Sequence, residues 1–154
     1  YFEDTIAANH VEISHFYWGH VARLQQGFKT TVHKDEYVLY VEWPQKRYRD
    51  NDGSIAARLA PSLSVLRAIN KDDYDAQDLA IEKCFEILND IIMRMRRELF
   101  DMSFIFSIND INQIDPVYHY MIDNCIGVRM DFQMGDWVAL GLDNDKWDDL
   151  PVLP

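Results

Sequence analysis

Asp75-Ala-Gln-Asp-Leu-Ala-Ile-Glu-Lys-Cys-Phe-Glu-Ile-Leu-Asn-Asp-Ile-Ile-Met-Arg-Met-Arg-Arg-Glu-Leu-Phe100 is the stretch on which the reading of the fold turns. Apolar residues at Leu79, Ala80, Cys84, Ile87, Leu88, Ile91, Ile92 and Met95 follow the i, i+3, i+4, i+7 rule of an amphipathic helix. Asp75 is the expected N-cap of a helix running from Ala76 to about Phe100. Asp78 in the first turn and Arg94, Arg96 and Arg97 in the last suit the helix dipole. At 1.5 Å per residue, such a helix is roughly 35 Å long.

Strand signals flank it on both sides. Tyr37–Trp43 and Leu63–Ile69 precede the helix as β-branched and aromatic runs of strand length, and Ser103–Ile108 follows it. Ile126, Val128, Met130 and Phe132 then alternate with Gly127, Arg129, Asp131 and Gln133, which predicts one buried and one wet face and favours antiparallel pairing. The expected fold is α+β: an antiparallel sheet of about four strands, in the order strand, strand, long helix, strand, strand, packed on the one long helix. Residues 44–56, opened by Pro44 and carrying Asn51-Asp-Gly53, read as a long inter-strand loop. Residues 135–154 are rich in turn formers and acids yet hold two tryptophans, and read as a C-terminal docking tail. In the first 35 residues, Thr5 to His10 reads as a short helix, and Phe16 to Phe28 as helix or strand.

A chain of 154 residues fits one domain, and with 48% apolar residues it can bury a core without metal or disulfide. No linker or internal repeat divides it, so 1–154 is expected to be a single domain. Its two cysteines, Cys84 and Cys125, have no CxxC partner, which excludes a disulfide scaffold and a cysteine zinc site and fits a reducing compartment. The formal net charge of −11 argues against a broad phosphate-neutralising face. No run of about 18 apolar residues is present, and the first ten lack the pattern of a signal peptide.

The sequence carries little that resembles chemistry. His10-Val-Glu-Ile-Ser-His15 has i, i+5 spacing, and His20 adds another such step, whereas a helical zinc pair needs i, i+4. Surface or capping roles are expected for all three. The calcium-like start Asp50-Asn-Asp-Gly53 puts Ile55 and Pro61 where Gly and Glu are required, and Asp143–Asp149 fails similarly. There is no GxSxG, GxGxxG or Walker loop. Cys84 falls within the apolar stripe and reads as a structural thiol. The expectation is therefore no catalytic, metal or cofactor site, and not an enzyme. Candidate interface residues are the basic patch Lys46, Arg47, Tyr48 and Arg49, the strand residues Arg129 and Asp131, and Trp137, Trp147, Leu150, Val152 and Leu153 near the end. These last residues would dock on the chain's own sheet or be captured by a neighbouring subunit.

Ser64-Val-Leu-Arg67, Asp75-Ala-Gln-Asp-Leu-Ala-Ile81 and Asp123-Asn-Cys-Ile-Gly-Val-Arg-Met-Asp-Phe132, within the two-strand, helix, two-strand order, resemble tail-terminator and tail-completion proteins of tailed bacteriophages. They look closest to small virion proteins of phages infecting Bacteroidetes, over about residues 37–134. The resemblance implies a virion protein of the tail or neck, made in the bacterial cytoplasm. It would form a homo-oligomeric ring, often sixfold in such proteins, between the tail tube and the neck or portal-adaptor proteins. DNA would pass through without sequence-specific binding, and an acidic lumen would suit that passage. It carries over no catalytic residue, cofactor or membrane contact. Two other classes stay open: a protein-binding module or regulator acting as monomer or dimer, and a small enzyme in which His20 or His119 meets a carboxylate.

Overall fold

The computed structural model describes residues 1–33, 35–51, 54–69, 72–100, 108–118 and 125–139. Phe2–Asn9 form a short π turn followed by a 3-10 turn, and Phe2 and Ile6 are buried. Then come β1 (Ile13–Gly19), α1 (Val21–Thr30), β2 (Tyr37–Glu42), β3 (Gln45–Asn51), β4 (Ser54–Ala60), β5 (Ser62–Ala68), α2 (Tyr74–Phe100), β6 (Ile108–Tyr118) and β7 (Cys125–Ala139). The fold is mixed α+β, as the sequence predicts, but the sheet is larger than four strands and is not wholly antiparallel.

Five strands, in the order β1-β2-β5-β7-β6, make the body of the sheet, and β1 runs parallel to β2. A parallel pair needs a crossover, and α1 supplies it between β1 and β2. The ambiguous segment Phe16 to Phe28 is thus both alternatives in turn, a strand end and then a helix. Gly19 at φ +99° makes the break between them.

β4 and β5 are two halves of one line. Ser62–Ala68 pairs with Asp131–Cys125, and Leu59, Ala57 and Ala56 continue the same antiparallel ladder to Met134, Val138 and Ala139. Pro61 separates the halves: it has no N–H to donate, and its carbonyl instead accepts from Phe132 N–H at 3.2 Å. The far half of this ribbon pairs with the outer half of β7 on one side, and β3 pairs along its other side from Gln45↔Ala60 to Asn51↔Ser54. Residues 44–56 are therefore not a loop but most of a β-hairpin. Ala56, Ala57 and Ala60 of β4 are buried, whereas Gln45–Arg49 of β3 are exposed and polar but for Tyr48, so β3 carries no apolar alternation.

The core lies mainly between the sheet and α2. Leu39 and Val41 of β2, Leu63 and Val65 of β5, and Ile126, Val128, Met130 and Phe132 of β7 share the face that meets Ala80, Ile81, Cys84, Ile87, Leu88, Ile91 and Met95. Each large aliphatic side chain buried here stabilises the fold by roughly 1.5–3 kcal/mol before entropy is charged against it. Leu79, expected in the stripe, is 66% exposed; the stripe runs instead through Gln77, Ala80 and Ile81. The cap also shifts, because Asp73 rather than Asp75 accepts the Ala76 N–H on its carboxylate, at 3.1 Å. On the opposite face, α1 buries Leu24 against Val38, Tyr40, Leu66 and Cys125. The expected strand Ser103–Ile108 lies outside the described residues except for Ile108, where β6 begins.

Candidate functional site

The hairpin gathers the basic patch. Lys46, Arg47, Tyr48 and Arg49 all lie on β3 and are exposed, and β3 pairs with no strand but β4 among the described residues. Alternate residues of a strand share a face. The register sets Arg47 opposite Arg58 and Lys46 opposite Leu59, so Arg47, Arg49 and Arg58 share one face while Lys46, Tyr48 and Leu59 share the other. Residues 45–60 hold four basic and two acidic side chains, a net +2 in a chain of −11.

The second face carries Tyr48 and Leu59 beside Lys46, and Trp43 stands just before the ribbon at the end of β2. Trp43 and Tyr48 are each 62% exposed and Leu59 is 38% exposed. Trp43 rests edge-on against Trp18, with ring centroids 5.4 Å apart. A Cβ at Gly19 would stand 2.9 Å from the Trp43 indole nitrogen, so the glycine both turns the chain and admits the ring. Between the hairpin base and the N-terminal turn a cleft of about 700 Å³ opens, lined among others by Phe2, Phe16, Trp18, Pro44, Leu59 and Pro61. Such convergence of apolar surface marks a contact site rather than ordinary surface scatter. Trp43, Leu59 and Arg58 were not singled out as interface residues from the sequence. The signal was present for Trp43, an aromatic ring placed directly before Pro44 where the strand must leave the core.

Arg129 and Asp131 lie on the sheet face opposite α2, and both are tied within the chain. Arg129 Nη1 donates to Glu42 at 3.0 Å, its Nε to Asp131 at 3.1 Å and its Nη2 to Ser62 Oγ at 2.8 Å. Ser62 in turn donates to Asp131 at 2.6 Å. Burial alone would raise the Asp131 pKa, but the Ser62 and Arg129 hydrogen bonds outweigh it and hold the carboxyl below its ordinary value, helped by the charges of Arg129 and Arg47. This network joins β2, β5 and β7 where the hairpin departs, and so braces the base of the basic face. Trp137 lies in the half of β7 that runs beside β4. Trp147, Leu150, Val152 and Leu153 lie outside the described residues.

His10, His15 and His20 make local contacts. His20 Nδ1 caps α1 by accepting Ala22 N–H at 3.1 Å, and His10 Nδ1 accepts Glu12 N–H at 3.3 Å. His15 Nε2 meets Glu36 at 2.8 Å, a contact that, after the His33 N–H, holds the Glu36 carboxyl below its ordinary value. Cys84 is buried, and burial pushes its thiol up to about 12, so it keeps its proton at neutral pH. His119 lies outside the described residues. Among the described residues no three His, Cys, Asp or Glu side chains converge as metal ligands, and no helix is long and apolar enough to cross a membrane. Comparison with protein families, with curated proteins and with solved structures gave no match.

Proposed function

We propose that this chain is a non-enzymatic structural subunit of a phage tail or neck. It forms a ring at the head–tail junction, as tail terminator or tail-completion protein, joining the tail tube to the neck and letting DNA pass. The observation that carries the reading is the hairpin. A ribbon whose outer strand pairs on one side only among the described residues, with Tyr48 exposed on it and Trp43 exposed at its base, is a liability for a protein that stays alone. For a subunit, the same ribbon is the reach toward a neighbour. Contacts between unlike surfaces close into rings when the rotation between copies closes. The excess of acid over base fits a conduit wall, because a negative lumen keeps DNA from adhering.

The alternative, a binding module acting alone, draws on the apolar cleft beside Trp18 and Leu59. The two differ in solution. Native mass spectrometry of the purified chain, with negative-stain images of the same sample, is expected to give one closed oligomer with ring-shaped top views. Sixfold symmetry is the expected count. A monomer at every concentration up to the solubility limit would favour the module and contradict the ring.

A further inference from the structure

The geometry points to the β3–β4 hairpin as the receptor for residues 140–154 of a second copy of this chain, an arm that links copies head to tail; the inference rests on the ring reading above. Charge is the first argument. Residues 140–154 carry Asp143, Asp145, Asp148 and Asp149 against Lys146 alone, a net −3, while residues 45–60 are net +2. Copies of a −11 chain repel one another, so an interface between them needs local opposite charge, and these two segments supply it.

Apolar matching is the second argument. Trp147, Leu150, Val152 and Leu153 are four large apolar groups in a short polar segment. The exposed Tyr48 and Leu59, on the ribbon face opposite Arg47 and Arg49, and the cleft beside Leu59 offer them a surface of the same character, which the arm reaches by crossing the outer edge of β3. Direction is the third. β7 runs from Cys125 beside Ala68 of β5 to Ala139 beside Ala56 of β4, so residue 140 begins at the hairpin end of the strand. Fifteen residues extend over at most about 50 Å, enough to cross onto an adjoining subunit.

A charge exchange tests the inference in the full-length chain. Variant one carries Arg47→Glu and Arg49→Glu, both on exposed positions of β3. Variant two carries Asp143→Lys, Asp145→Lys, Asp148→Lys and Asp149→Lys, and variant three carries both sets. Each of the first two is expected to keep the wild-type far-UV circular dichroism and to lose oligomer affinity by at least about tenfold. Mixing them is expected to restore the oligomer, since each then offers the charge that the other needs, and variant three is expected to assemble by itself. Restoration in variant three with none in the mixture would mean that the arm folds back on its own hairpin, which overturns the inference. Undiminished rings in variants one and two would also overturn it while leaving the ring reading intact. A wild-type chain that never assembles would instead remove the ring reading.

Discussion

Ile91→Asp yields a chain with no cooperative unfolding transition. Ile91 is 1% exposed, in the middle of α2, and packs within the core formed with β2, β5 and β7. An ionised carboxylate there would lie among the apolar side chains of that cluster. The chain must either hold the acid protonated or open the core to water, and either course costs several kcal/mol. Loss of the isoleucine's own burial adds about 2–5 kcal/mol. The sum approaches or exceeds the total stability of an ordinary domain. Circular dichroism during thermal melting checks it, and a soluble Ile91→Asp protein with a sharp transition would show that α2 presents another face to the sheet.

Gly127→Ala, a change of one methyl group, is expected to cost about 3 kcal/mol or more, because the clash is with backbone rather than a movable side chain. Gly127 pairs with Leu66 at the centre of the β5–β7 ladder. A Cβ at this position would stand 2.0 Å from the Val65 carbonyl oxygen and 2.9 Å from Leu66 Cα, so two central strands would have to separate. Gly27 is the useful control. There a Cβ meets the Tyr17 ring at 2.2 Å, but a partly buried side chain on an edge strand can turn aside. Gly27→Ala should therefore cost about 1–2 kcal/mol. Urea unfolding of both variants decides the matter, and equal costs would mean that the ladder relaxes as easily as a ring rotates.

The same two positions show what the amino-acid sequence makes legible. Ile91 belongs to a stripe whose helical period is plain, and α2, β2, β5 and the first half of β7 all lie where such patterns place them. Period is a record of burial, so it is clear wherever an element covers a core. The hairpin has no such record. Gln45–Asn51 has Tyr48 alone among polar side chains and is held by a backbone ladder to β4, which leaves no trace in side-chain pattern; Pro44 and Asn51-Asp-Gly53 then read as loop signals. The parallel pairing of β1 with β2 was equally hidden, since it depends on the path of α1 over the sheet.

Of the candidate surface, the basic residues on β3 were visible as composition, but their division between two faces needed the register. Arg47 and Arg49 stand with Arg58 across the strand, and Tyr48 stands with Leu59. Arg129 and Asp131 were read as free members of a wet face. Their bonds to Ser62 and Glu42 come from pairing between strands far apart in the chain, and no local pattern announces them.

The most direct measurement of the central claim is the position of the chain in an intact particle. Gold-labelled polyclonal antibody raised against the whole chain, applied to purified tailed virions and to particles with heads and tails separated, reads that position by electron microscopy. The head–tail ring reading predicts label confined to the collar between head and tail, and stronger on separated tails, where the ring's upper face is uncovered. Label on the capsid shell, at the distal tail tip, or absent from the virion altogether would contradict it.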